Sequence, residues 1–346
     1  MKSRLLLFPV LLMLVVPLWS QEHPTTNTQL WNTLFEDDCS TFKQFLWVKD
    51  DSLTHGNPNQ GAEEPQVYLK ENVYIDDGKI VLKTEEISTP LQLHNHNNCM
   101  YNNRHYYTSG QIHSWRKYQY GYYEIYAKLP ISEGYWPAFW FYDSDGHATN
   151  PWYNEIDVME GDGAITDTLS CAYHWGYSPL IVDLLSSVKY YPSDYADGYH
   201  WYGVQWDKNE IFWLFDRNVV RVEKNDMMGV GIQHPMRIII NVALFPNNWS
   251  NHPVSNNTIF PNYMKIDQIN GYQLNCQDKD VIVNEIFDFT TYNYHVKKSI
   301  TLSGATILPQ NSSISLYARD YILLNNDFSI PLGVEFVAGV CDGCND

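Results

Sequence analysis

Three carboxylates stand at fixed offsets in the segment Asn154-Glu155-Ile156-Asp157-Val158-Met159-Glu160-Gly161. On an extended strand, where side chains alternate between faces, Glu155 and Asp157 share one face, while Ile156 and Val158 share the other and read as core. Strict alternation would carry Glu160 onto that core face, where an unpaired carboxylate is expensive to bury. One extra residue in a β-bulge, most economically Met159, returns Glu160 to the side of Glu155 and Asp157. A helix would scatter the three around its axis. Carboxylates in a row repel, so their pKa values separate, and groups held apart in pKa can divide the roles of acid and nucleophile. Cleavage of a glycosidic bond uses such a pair: one ionised carboxylate attacks or stabilises the anomeric carbon, and one protonated carboxyl releases the leaving oxygen. Taken alone, the segment reads equally well as a solvated acidic strand or a calcium site.

The elements that must position this segment are themselves strands. From about Leu30 to Cys276 short apolar runs follow one another with turn clusters between them and few plausible helices. Residues 121–130, GYYEIYAKLP, alternate with the period of a half-buried strand. WYGVQW and EIFWLFD, separated by Asp207-Lys208-Asn209, and then VVRVE, predict a meander of hairpins over residues 201–223. Short strands at this spacing over some 250 residues imply a two-sheet sandwich or barrel. After Cys276 the texture changes. The pieces SITLSG, ISLYAR, YILLNN and VEFVAG, separated by Gly, Asn, Asp and Pro, predict a small stack of β-rungs over residues 299–339, with a boundary near 277–290.

Composition narrows the class of ligand. Among 346 residues, 40 acidic side chains face 22 basic ones for a formal net charge of −18, which argues against a nucleic-acid partner or an anionic membrane gripped through a general positive field. The 12 Trp and 26 Tyr supply more flat ring surface than core filling needs, and rings with a polar edge suit stacking on sugars. Residues 1–20, with Lys2 and Arg4 before a short apolar run that contains two prolines, predict a secretory signal peptide rather than a membrane span, so a secreted product is expected. Six cysteines in an exported chain allow up to three disulfides, although a domain of this size can leave some reduced and buried. Cys341 and Cys344, in CDGC, suit a local disulfide better than zinc, because a second ligand pair is missing.

At this point the acidic strand resembles a known signature. Glu155-Ile156-Asp157-Val158-Met159-Glu160 is similar to the E-x-D-x-x-E motif of glycoside hydrolase family 16, in the bulged form of its laminarinase-type and agarase-type members. The resemblance extends over most of residues 30–276. It includes YTSGQIHSWRKYQYGYYEIYAKLP and GYWPAFWFYD upstream, and YHWYGVQWDKNEIFWLFD, IIINVALFPNNW and FPNYMKIDQINGYQL downstream, all in the family's order.

The resemblance implies a β-jelly roll sandwich with a concave substrate cleft, spanning residues 21–276, beside a C-terminal β-stack module at 277–346. It implies an endo-acting glycosidase that retains anomeric configuration and needs no catalytic cofactor. Glu155 matches the nucleophile, Glu160 the general acid/base, and Asp157 the carboxylate between them. Trp140 and Tyr153 are then candidate sugar contacts; Trp136 is a cleft or loop-packing residue, and His174, in CAYHWG, a cleft or structural histidine. Trp152, of opposite parity to Tyr153, reads as core, and no role falls to Trp201, Trp206 or Trp213, which read as core as well. A structural calcium is implied on the convex face, with Asp267 as its candidate ligand beside Glu36. Two departures bear on the sugar: Asn241-Val242-Ala243 is followed by Leu244-Phe245-Pro246 rather than a glycine pair, and Asn154 stands where a Gly often precedes the first Glu. They leave both β-1,3-glucan, the favoured polysaccharide, and β-linked galactans open, with a transglycosylase or a jelly-roll lectin as alternatives and a monomer as the expected state.

Overall fold

The computed structural model describes residues 31–52, 64–94, 100–142, 152–177, 184–190, 194–207, 210–225, 235–246, 250–276, 280–283, 291–303, 308, 310–326 and 328–340. The leader and the CDGC segment lie outside the described residues, as do the side chains of Trp152 and Tyr153.

The period-two runs become strands. In chain order they are β1 (Trp31–Asp37), β2 (Trp47–Lys49), β3 (Gln66–Tyr68), β4 (Val73–Asp76), β5 (Lys79–His94) and β6 (Met100–Ser109). Next come β7 (Gln111–Tyr118), β8 (Gly121–Lys128), β9 (Tyr135–Tyr142), β10 (Trp152–Asp162), β11 (Ile165–Tyr177) and β12 (Leu184–Tyr190). β13 (His200–Trp206), β14 (Glu210–Phe215), β15 (Asn218–Lys224), β16 (Met236–Leu244) and β17 (Asn262–Leu274) complete the two large sheets. Six shorter strands follow: β18 (Val281–Val283), β19 (Thr291–Val296), β20 (Ser299–Leu302), β21 (Ser313–Ala318), β22 (Tyr321–Leu324) and β23 (Glu335–Val340).

The inner sheet has the order β12-β11-β10-β9-β16-β7-β2 and carries the acidic segment on β10, near its middle. The outer sheet runs β15-β14-β13-β8-β17-β5-β6-β3, with β1 paired to β17 and β4 to β5. Together they form a β-jelly roll. Between them lies one large core that includes Tyr123, Phe139, Phe141, Ile156, Met159, Trp206 and Trp213, with Tyr123, Phe141 and Trp206 meeting at ring centroid separations of 4.9 to 5.3 Å. Burial of such rings is the dominant stabilising term, and it fixes which face of β10 must point away from the core.

Two expectations are corrected on the outer sheet. β8 is buried on both faces rather than half-buried, because a second apolar cluster of Trp31, Tyr122, Phe212, Leu214 and Tyr272 covers its outer side. Beside that cluster the fully buried Glu124 is neutralised by the Arg217 guanidinium at 2.9 Å and accepts from Tyr122 Oη at 2.9 Å. Trp206 and Trp213 are core, but Trp201 is not: it sits half-buried on the outer face, stacked on Tyr126 at 4.8 Å and capped by Arg217 at 4.0 Å.

The calcium candidates also lie on the outer sheet. Asp267 Oδ1 is engaged by Lys79 Nζ at 3.2 Å, and Glu36 Oε1 accepts from Tyr272 Oη at 2.9 Å. Among the described residues neither belongs to a cluster of three His, Cys, Asp or Glu ligand atoms. Cys39 and Cys171 are buried free thiols, whereas Cys276 is disulfide-bonded.

After β17 the pairing becomes parallel. β18, β20 and β22 form one ladder and β19, β21 and β23 another, with Thr291, Ser313 and Glu335 in register from rung to rung. Their buried Ile300, Leu302, Ile314 and Leu316 make a separate core, and Leu34 of β1 packs against both cores. β18 falls inside the predicted boundary stretch and already pairs with β20.

Candidate active site

β10 pairs with β9 on one side and β11 on the other, and its register breaks at the acidic segment. Asp157 opposes Trp140 while Met159 opposes the very next residue, Phe139, so on that side the residue without a partner is Val158. On the β11 side, Asp157 opposes Ala172 and Glu160 opposes Ser170. The bulge is where the alternation argument requires it, but Met159 is paired with Phe139 and the unpaired position is one residue earlier. Val158 and Met159 both point into the core, at 1% and 0% exposure, which two consecutive residues can do only at a bulge. Glu155, Asp157 and Glu160 are thereby returned to the opposite face. From the outer sheet, the buried Trp213 donates its indole N–H to the Asp157 carbonyl at 2.8 Å and ties the distorted strand to the core.

These three carboxylates line a cavity of about 270 Å³ together with Glu64, Trp136, Trp140, Tyr142 and Asn241. A second hollow continues past Trp136 and Glu160 toward Asp162, Lys189, Phe245 and His252. The groove therefore crosses the strands of the inner sheet and passes directly over Glu160.

The acids have distinct partners. Trp136 Nε1 donates to Glu160 Oε1 at 2.9 Å. His174, directly opposite Glu155 in register, places Nε2 3.1 Å from Asp157 Oδ2. The ligand atoms of Glu155, Asp157 and His174 all lie within 4.8 Å of one another. Burial holds the Glu155 carboxyl well above its ordinary range, and the neighbouring Asp157 charge pushes it the same way. Burial also raises Glu160, against the Trp136 hydrogen bond, which favours its ionised form. A side-chain hydrogen bond with Asp157 adds to the same upward push on Glu155.

Of the residues expected from sequence, Glu155, Asp157, Glu160, Trp136, Trp140 and His174 meet in this cleft. Trp140 is oriented by donating to Asn241 Oδ1 at 2.8 Å. Trp136 departs from a simple sugar platform: one face is stacked on Phe245, at 5.0 Å and 8° between planes, and its N–H is committed to Glu160. Asp267 lies on the other sheet, away from the cleft. Sequence reasoning assigned no role to Glu64, which is buried in the cavity wall and accepts a hydrogen bond from Gln66 Nε2. From there Gln66 Nε2 donates to Tyr68 Oη at 3.0 Å, and Asn241 Nδ2 donates to the same oxygen at 2.8 Å, so a polar chain joins Glu64 to Trp140. The sequence signal for it is the alternation of Glu64, Gln66 and Tyr68 on one face of a short strand.

The arrangement offers a half-buried acid held by an N–H donor, a second acid beside a third, and aromatic walls. That is sufficient for proton transfer to a leaving oxygen and for attack at a carbon beside it.

Comparison with known proteins agrees with this geometry. An endo-1,3-1,4-beta-glycanase, ExsH, of Rhizobium meliloti (strain 1021) is 32% identical over 173 residues, 49% of this chain and 34% of that protein. A glucan endo-1,3-beta-glucosidase of Niallia circulans is 26% identical over 274 residues, 74% of this chain and 37% of that protein. The chain thus spans little more than a third of the length of these curated relatives. The crystal structure of the laminarinase catalytic domain from Thermotoga maritima MSB8 superposes with a TM-score of 0.59 at 26% identity, covering 70% of this chain and 98% of that one. Residues 63–260, more than half of the chain and including all three cleft carboxylates, match the sequence profile of Glycosyl hydrolases family 16. The chain belongs to that family.

Proposed function

We propose that this protein is a secreted, retaining endo-β-glycanase that hydrolyses internal bonds of a β-glucan, with β-1,3-linked laminarin-type chains as the favoured substrate. The observation that carries the reading is the bulge on β10, which puts Glu155, Asp157 and Glu160 on one face of an open groove, with an indole N–H fixed on Glu160. A groove that runs across several strands of the sheet suits attack within a chain. The glucan preference is supported by what the related proteins are named for.

The residues divide the work as follows. Glu160, whose pKa burial raises, gives its proton to the glycosidic oxygen as the bond to the anomeric carbon breaks. Trp136 holds that carboxyl in place and then stabilises the carboxylate left behind. Glu155 attacks the anomeric carbon as a carboxylate, with Asp157, itself oriented by His174, beside it on the same face of β10. In the second step Glu160 takes a proton from water, which attacks the same carbon and releases Glu155.

A panel of laminarin, mixed-linkage β-glucan, agarose and carrageenans, with products read by chromatography, tests the assignment. Oligosaccharides of several lengths should appear early from laminarin. Products from the galactans alone would reassign the substrate, and no turnover of any glycan would favour a lectin.

A further inference from the structure

Trp115 is 57% exposed on β7, in the sheet that carries the catalytic strand. We propose that it is a distal glycan-binding position that stacks a sugar ring of the same chain whose scissile bond lies over Glu160, about three rings away. This inference rests on the glycanase reading above.

The placement follows from register. Ser114 opposes Trp47, which is buried in the core at 1% exposure, so Ser114 faces inward and Trp115 faces the other way. That other face is the one bearing Glu155, Trp140 and Asn241. A continuous cross-strand row leads to it: Asp157 opposes Trp140, Trp140 opposes Ile239, and Ile239 opposes His113, two residues before Trp115. Neighbouring strands lie about 4.8 Å apart, so β7 is roughly 14 Å from β10 across the sheet, comparable with about three pyranose rings laid end to end.

The side chain is held rather than loose. Its backbone N–H donates to Leu46 O at 2.9 Å and its indole N–H to Gln44 O at 2.6 Å. The Arg237 guanidinium donates to the Ser114 carbonyl at 2.8 Å and also to that of Trp115. Between His113 and Lys117 three residues of β7, Trp115 in their middle, oppose the single Ile238 of β16. Phe45, 56% exposed, stands on the same turn as Gln44. Among the described residues no other aromatic ring stacks on the indole. A large ring whose polar edge is satisfied and whose face is left to solvent is matched to the apolar face of a sugar. Continuity with the cleft along one sheet face makes the bound glycan its occupant.

Kinetics on β-1,3-gluco-oligosaccharides of increasing length, or on the series cut from whichever glycan the panel identifies, would be compared for the unmodified protein, Trp115→Ala and Trp115→Phe. The ratio of kcat/KM between the unmodified protein and Trp115→Ala should rise with chain length, reaching about tenfold on the longest members, mostly through KM, and Trp115→Phe should recover most of the loss. A ratio that is the same at every length, whether near one or large, would overturn the assignment. Failure of the glycanase reading looks different, because the unmodified protein then cleaves nothing in the panel. In that event calorimetric titration of the longest oligosaccharides against the same three proteins decides the matter: length-dependent weakening in Trp115→Ala supports the site, and equal affinity or no binding overturns it.

Discussion

Glu155→Gln should lower turnover of a susceptible glucan by roughly 10⁴-fold or more, because it removes the atom that forms the covalent bond and no other carboxylate occupies its place on β10. The same change should stabilise the fold at neutral pH. Burial and the Asp157 charge raise the Glu155 pKa above the ordinary 4.5, so the folded chain binds this proton more tightly than the unfolded chain does. The stability this contributes is present at low pH and is lost as the pH rises through the interval above 4.5. An amide avoids that loss. Differential scanning calorimetry should therefore place the Tm of Glu155→Gln above that of the unmodified protein at pH 8, by about 2–4 °C for each kcal/mol recovered, and the gap should close toward pH 4. Retained turnover, or a lower Tm at pH 8, would contradict the role or the environment assigned to Glu155.

Glu160→Gln should lose about 10²- to 10⁴-fold on polymeric substrate, but with a different dependence on the leaving group. A glucosyl leaving group needs the proton that Glu160 supplies, whereas a dinitrophenolate needs none for departure. The penalty in the first step should therefore shrink strongly on an aryl glycoside. Azide, which needs no general base to attack, should accelerate Glu160→Gln and yield a β-glycosyl azide. Glu155→Gln should show no such recovery on the aryl substrate. Equal losses on both substrates for both variants would mean that the two carboxylates do not divide the roles of nucleophile and acid.

The shared face of the three carboxylates on β10 was legible because two physical rules conflict there. Alternation alone would bury Glu160, burying a lone carboxylate is expensive, and a bulge resolves the conflict. Which residue is unpaired was not legible, since Val158 and Met159 are both apolar and both enter the core, and only pairing with Phe139 of β9 tells them apart. Glu64 was missed because its approach to the cleft depends on β3 joining β6 in parallel and on Gln66 accepting from Leu244 N, contacts between segments far apart in the chain. Trp136 carried the right location with an incomplete role: the stack on Phe245, a residue noted only as a departure from the family pattern, consumes a face that a sugar would otherwise use. Trp201 read as core by its apolar neighbours, yet its register partner Tyr126 and the Arg217 cap place it on the outer surface. The rung pattern after Cys276 was visible as short apolar pieces, whereas β18 and β19 carry too little contrast with the turns around them.

The central claim is that Glu155 and Glu160 act from one groove through a covalent glycosyl intermediate. It is tested most directly by proton NMR of the first products released from laminarin by the unmodified protein, recorded before mutarotation. Two inversions at the anomeric carbon require the β-anomer to appear first, with the α-anomer growing in only as the sugar equilibrates. An initial α-anomer would mean single displacement by water and would contradict the roles given to both carboxylates.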